Sequence, residues 1–337
     1  MDFGRYALGG FATVAVLAAC GGSQPPINAS YAIETVVQNR SVGRLTASAP
    51  EPNLRVADKP DYKVSGPLLF VTNSDPEYTP VTIYDAKLSN PKPIATITKG
   101  LFETAGVCVD NDGTLYVVTG ENSIREYALG KTKPFRIITR GLWTPNFCAI
   151  DTAGNLWVTN LSGRNATEYL KGKVKPHFII KDGLTNPDGI AIDQHGNVYV
   201  GNLVPSGSSN VQVYPPGRKK PIRTITNGIT WPVGIAVDER GALYVTNDAT
   251  CNIEVYLPGQ SRPYRTITRN IDGATDVAFA KNGSMYEVNT GEQNCVSNGP
   301  WPVILEFRPG KMTPSKRTIS QGLHNPIGVA YYPPLLP

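Results

Sequence analysis

From residue 68 onward the chain alternates short apolar runs with turns rich in Gly, Pro, Asn and Asp. Runs of that length, bounded by turn formers, read as β-strands. The runs repeat. GVCVD at 106–110, FCAID at 147–151, GIAID at 189–193, GIAVD at 234–238, DVAFA at 276–280 and GVAYY at 328–332 stand 41, 42, 45, 42 and 52 residues apart. The first five are each followed by a glycine-containing turn and a second run: LYVVT, LWVTN, VYVGN, LYVTN and MYEVN. A third strand ends in an aromatic, at Tyr127, Tyr169, Tyr214, Tyr256 and Phe307, and a fourth follows a basic, proline-containing tip. Four strands at this period make one blade of a propeller.

The repeat starts out of phase. Runs at 68–73, 81–84 and 94–98 supply strands two, three and four of a blade that lacks its first strand, and the surplus first strand lies at 328–332. Pairing the two ends closes a ring and removes a free sheet edge. The expected architecture is therefore all-β, a six-bladed β-propeller with four antiparallel strands per blade, its first blade completed by the C-terminal strand.

The segments NPDGIAIDQHGNVYVGN from Asn186 and WPVGIAVDERGALYVTN from Trp231 resemble NHL and YVTN-type propeller repeats. More distantly they are similar to the senescence-marker-protein/gluconolactonase group, over about residues 68–332. Such propellers host lactonases, lyases and plain binding platforms alike, so the resemblance speaks for fold before activity.

The N-terminal 66 residues follow another pattern. Residues 1–19 carry Arg5 and then an apolar run too short to span a bilayer. Leu17, Ala18, Ala19 and Cys20 resemble a bacterial lipobox, which implies cleavage before Cys20 and acylation of that cysteine. Residues 20–66 show no sustained apolar period and read as a flexible tether, with the propeller at 67–337. The expectation is a lipid-anchored protein of the cell envelope, outer membrane or periplasm-facing. A formal charge of +5 over 337 residues argues for no nucleic-acid partner.

In a four-stranded meander the links between blades and those between second and third strands share one face, over the mouth of the central channel. Residues that break the repeat there are the informative ones. Asp188 and Asn146 occupy one slot ahead of the first strand, where other blades carry Ala105, Val233, Thr275 and Ile327. The gluconolactonase resemblance implies a divalent cation in these slots, Ca2+ or another, on Asp188 and Asn146. Ala105 and Ile327 stand where its further ligands belong, and Glu103 is a substitute donor.

In blade six Asp276 replaces glycine and Glu287 replaces valine, and the hairpin between them is expected to bring the two carboxylates together as a cation site or acid/base pair. The alternative is that Glu287 meets a cation or water. His324 is the only histidine at the mouth, so Asp276, Glu287 and His324 are the catalytic candidates. Trp143 and Trp231 offer stacking surfaces for a small molecule, glycan or protein ligand, or pack between blades. The recurring Asn73, Asn160, Asn202, Asn247 and Asn289, and Asp110, Asp151, Asp193 and Asp238, read as turn caps. Cys251 and Cys295, in second-to-third strand loops of adjacent blades, are expected to form a disulfide; Cys108 and Cys148, inside first strands, are expected to be buried thiols. No Gly-x-Ser-x-Gly elbow, His-Glu-x-x-His or phosphate loop is present.

On the opposite face the tips between third and fourth strands are basic, as at Lys171, Lys173, Lys175, Arg218, Lys219 and Lys220. They either meet anionic lipid or envelope polymer, or keep the hairpins soluble. Two functions follow: a binding platform at the envelope, or a divalent-metal-dependent, lactonase-like hydrolase.

Overall fold

The computed structural model describes residues 61–74, 79–205, 207–291, 295 and 302–335. The leader, Cys20 and most of the tether lie outside these residues. Six sheets of four strands surround a central channel. The first, innermost strands are Thr104–Val109, Pro145–Ile150, Asn186–Ile192, Pro232–Val237, Ala274–Phe279 and Pro326–Tyr332. The last of these pairs antiparallel with Leu68–Asn73, with Leu68 opposite Tyr332, so the C-terminal strand completes blade one as the phase of the repeat requires.

Six apolar clusters hold the ring, one at each blade-to-blade interface. In one, Tyr116, Val118 and Ile124 of blade two meet Cys148, Ile150 and Leu156 of blade three; in another, Tyr199 and Val211 of blade four meet Ile235 and Val245 of blade five. Because strand side chains alternate, each blade offers one apolar face to each neighbour. The aromatics ending the third strands are fully buried, and the hydroxyls of Tyr169, Tyr214 and Tyr256 donate to the carbonyls of Arg140, Asp182 and Asn227 in the link entering their own blade. The recurring asparagines do the same from the inside. Asn160, Asn202, Asn247 and Asn289 each accept from a link amide and donate a side-chain N–H, capping the link as expected. Asp110, Asp151, Asp193 and Asp238 cap the first-to-second strand turns.

Two expectations change here. Cys108 and Cys148 are not free thiols; they form a disulfide, with Cα atoms 5.8 Å apart. Cys108 sits third in its repeat and Cys148 second in the next, so their side chains leave opposite faces of neighbouring blades and meet across the interface. Packing also starts ahead of residue 67. The Asp61 amide donates to Gly130 O at 2.7 Å, and Tyr62 is buried against Leu68 and Phe70, so an aromatic anchors six residues assigned to the tether by composition. The Cys251–Cys295 bond forms as expected, with Cα atoms 6.4 Å apart.

Candidate functional site

The mouth is built by one device used six times. Where each first strand begins, its ladder with the second strand slips, as between Asn73 and Val71 in blade one or Pro187 and Ile190 in blade four. Such bulges re-aim a side chain. The residues they hold are Ala105, Asn146, Asp188, Val233, Thr275 and Ile327, all buried. In blades one, three and five a second-strand threonine, Thr72, Thr159 or Thr246, accepts the bulge amide at 2.8, 3.0 and 2.7 Å. The blades carrying Asp188 and Asp276 have Gly201 and Val288 at that position instead. Gly189 lets the neighbouring strand in: a Cβ there would lie 2.1 Å from Val233 O.

Asn146 and Asp188 do meet. Asn146 Nδ2 donates to Asp188 Oδ1 at 2.6 Å, while Asn146 Oδ1 and Thr275 Oγ1 are buried without a partner. Burial holds the Asp188 carboxyl well above its ordinary value, and the charges of Asp248 and Asp276 push in the same direction. Asp276 accepts from the amides of Val277 and Val329, both at 2.9 Å; burial outweighs these bonds and lifts it to about 7. Both shifts favour the neutral carboxyl, so the floor of the mouth carries less negative charge than two aspartates would in water. Phe147, in place of the usual glycine, shares an apolar cluster with Val233 and Ile327. Below this level the channel holds a solvent-open cavity of about 140 Å³ lined by Phe147, Ile190, Val277 and, at the far end, Leu335.

The expected Asp276–Glu287 pair does not form. The ladder sets Glu287 opposite Val277 and Asp276 opposite Val288, so the two carboxyls leave opposite faces of the hairpin. Glu287 is buried in the blade five–blade six interface, with no cation beside it among the described residues. Asn289 Nδ2 donates to its Oε2 at 2.9 Å, its Oε1 has no partner among the described residues, and burial pushes its pKa well above the ordinary value. His324 is exposed on the last link, its backbone amide bonded to Asn73 Oδ1. Asp276 and Glu287 therefore make no acid/base pair.

The tryptophans separate. Trp143 is 64 % exposed on the mouth face, whereas Trp231 is half-buried against the cluster holding Phe147 and Val233. Glu103 is half-buried in the link to blade two, its carbonyl accepting from Gly120 N.

What the residue pattern did not reveal is the backbone around them. Glu103, Asn122, Thr144, Arg164, Cys251 and Asn325 all have positive φ and all lie in mouth-face links. Asparagine tolerates that region; glutamate, arginine and above all β-branched threonine do not. Thr144 is held there by Asn122 Oδ1, which accepts its amide at 2.6 Å, and by Ser162 Oγ, 2.8 Å from its hydroxyl. Cys251 is held by its disulfide.

Tested as a cation site, the slots fall short. Asp188, Asn146 and Thr275 are three side-chain donors with four oxygens between them, while Ala105, Val233 and Ile327 supply none, two of them where the resemblance places further ligands. Calcium takes six to eight oxygens, waters and backbone carbonyls included. The donors present do not fit the metal centre that the gluconolactonase resemblance implies.

No family model matches the chain, and no curated protein matches it in sequence. Among solved structures, a chain from the crystal structure of a nidogen/laminin complex superposes with a TM-score of 0.64 at 16 % identity, over 79 % of this chain and 98 % of that one. A protein of unknown function from Bacteroides caccae gives 0.62 at 14 % identity, over 79 % and 99 %. At such identities the likeness carries the propeller fold alone.

Proposed function

We propose that the chain is an exported, lipid-anchored propeller that offers its mouth face as a rigid binding platform at the cell envelope. The carrying observation is the concentration of unfavourable backbone on that face. Thr144 at φ +49 and Glu103 at φ +46 flank blade two and are fixed by their surroundings, with Trp143 standing exposed beside Thr144. Residues that disfavour positive φ, held there by their neighbours, give loops of one fixed shape, which supports a preformed binding surface. An exposed indole suits the face of a sugar ring or the apolar edge of a protein.

The test is retention of the soluble chain, lacking residues 1–20, on isolated envelope polysaccharide and envelope protein fractions, alongside Trp143→Ala. Specific retention weakened at least about tenfold by the substitution supports the platform; no retention on any fraction, or retention indifferent to Trp143, removes it. The metal-dependent hydrolase is decided separately by calcium calorimetry. Tight binding abolished by Asp188→Ala would restore it against the short donor set.

A further inference from the structure

We propose that the face opposite the mouth lies on an anionic phospholipid surface. Three observations meet there. The first is charge: Lys173, Lys175, Arg218, Lys219, Lys220 and Arg262 are exposed on the tips between third and fourth strands. The acidic groups of the same face are mostly engaged. Asp151, Asp193 and Asp238 accept amides of their own turns, and Asp112 is paired with Lys171, which leaves Glu239 as an exposed exception.

The second is apolar. One position, the residue that opens the fourth strand, is Ile94, Phe135, His177, Ile222, Tyr264 or Ser315 in successive blades, each donating its amide to the third strand. The blade accepts histidine or serine here, so packing does not demand an apolar side chain. Yet Ile222 is 68 % and Tyr264 63 % exposed, with Phe135 and Ile94 exposed in blades two and one. Large apolar groups standing among lysines and arginines are the composition of a surface that settles into the headgroup boundary, the cations meeting phosphate and the apolar tips passing beneath it.

The third is the entry of the chain. Asp61 is pinned on this face, its carboxylate accepting the amide and hydroxyl of Thr132 at 2.7 and 2.8 Å and its own amide donating to Gly130 O, all in the blade-two tip. If Cys20 is acylated, as the proposed function holds, the tether reaches the propeller on the basic side. The mouth then faces away from the membrane.

The experiment uses the chain from residue 20 with Cys20→Ser, so that no acyl chain contributes, sedimented with vesicles of phosphatidylglycerol and phosphatidylethanolamine or of phosphatidylcholine alone. The expected result is binding to the anionic vesicles, weakened by salt and at least about tenfold weaker on phosphatidylcholine. Lys219→Glu with Lys220→Glu, and separately Ile222→Ser with Tyr264→Ser, each lower it about tenfold, while Arg140→Glu with Arg269→Glu, an equal charge change on two blade-to-blade links, leaves it within about twofold. Equal binding to both vesicles, no binding to either, retention only on a polyanionic polymer, or indifference to the tip variants overturns the proposal. The mass of the N-terminal peptide from membrane-extracted protein reads acylation independently, so failure of the anchor and failure of this face are told apart.

Discussion

Replacing Glu287 with glutamine turns a buried acid into a measurable pH dependence. The native carboxyl holds its proton well above the ordinary value near 4.5 because it is sealed between blades five and six. The unfolded chain sheds that proton at the ordinary value. Between the two values the native state binds more protons than the unfolded state, so stability falls as pH rises, by about 1.4 kcal/mol per pH unit for this one group. Below 4.5 both states are protonated and the cost vanishes. Glutamine has no proton to lose, and its oxygen keeps the bond from Asn289 Nδ2 while its amide takes the place of the unpartnered Oε1. Asp188 and Asp276 shift in the same direction but are present in both proteins and cancel in the difference. Urea unfolding of the two proteins, disulfides intact, across about pH 4 to 7 should therefore give curves that lie within about 1 kcal/mol at the acid end. They should then separate in favour of Glu287→Gln with a slope near 1.4 kcal/mol per unit, until the native value is passed. A difference that stays flat with pH, or one that grows in favour of the wild type, would refute the reasoning.

Three further outcomes are expected. Removing the Cys108–Cys148 bond by a double alanine substitution should cost about 4 kcal/mol for a loop of 40 residues, read by denaturant unfolding with and without reductant. Gly189→Ala forces a Cβ to 2.1 Å from Val233 O, and thermal melting should show a loss of at least about 2 kcal/mol, with a soluble, wild-type-like protein counting against the packing described. Trp143→Ala, which removes an exposed side chain, should change unfolding stability by less than about 0.5 kcal/mol; a larger loss would make Trp143 a packing residue and weaken the platform.

The propeller was legible because a blade cannot bury its faces alone, and the repetition this imposes survives in runs such as GIAID and LYVTN. Closure was legible from phase. The caps were legible because repetition itself marks a residue as structural. The site was legible only as positions: Asn146 and Asp188 were expected to share a slot, and they bond. The protonation of Asp188 depends on burial and on the charges of Asp248 and Asp276, which belong to other blades, so no local pattern carries it. The Asp276–Glu287 expectation rested on proximity in a hairpin and neglected the alternation of side chains, which separates neighbours in register by the thickness of the sheet. The same alternation contained the Cys108–Cys148 bond, for a cysteine third in one repeat and second in the next must face each other. Positive φ at Thr144 and Glu103 leaves no mark in residue type, since neither residue favours it.

The joining of Leu68–Asn73 to Pro326–Tyr332 has a bearing on how the protein is made. Blade one stays incomplete until Pro326–Tyr332 has left the ribosome. Until then the strand at Leu68 offers an unpaired edge that any extended segment can occupy. A chain made from its N-terminus therefore has its final contact, between residues more than 250 positions apart, still to be made when the other five blades are complete. Fragments ending ahead of Pro326 would expose that edge permanently, which makes completeness of synthesis a condition for solubility and gives proteolytic surveillance a clear mark to act on.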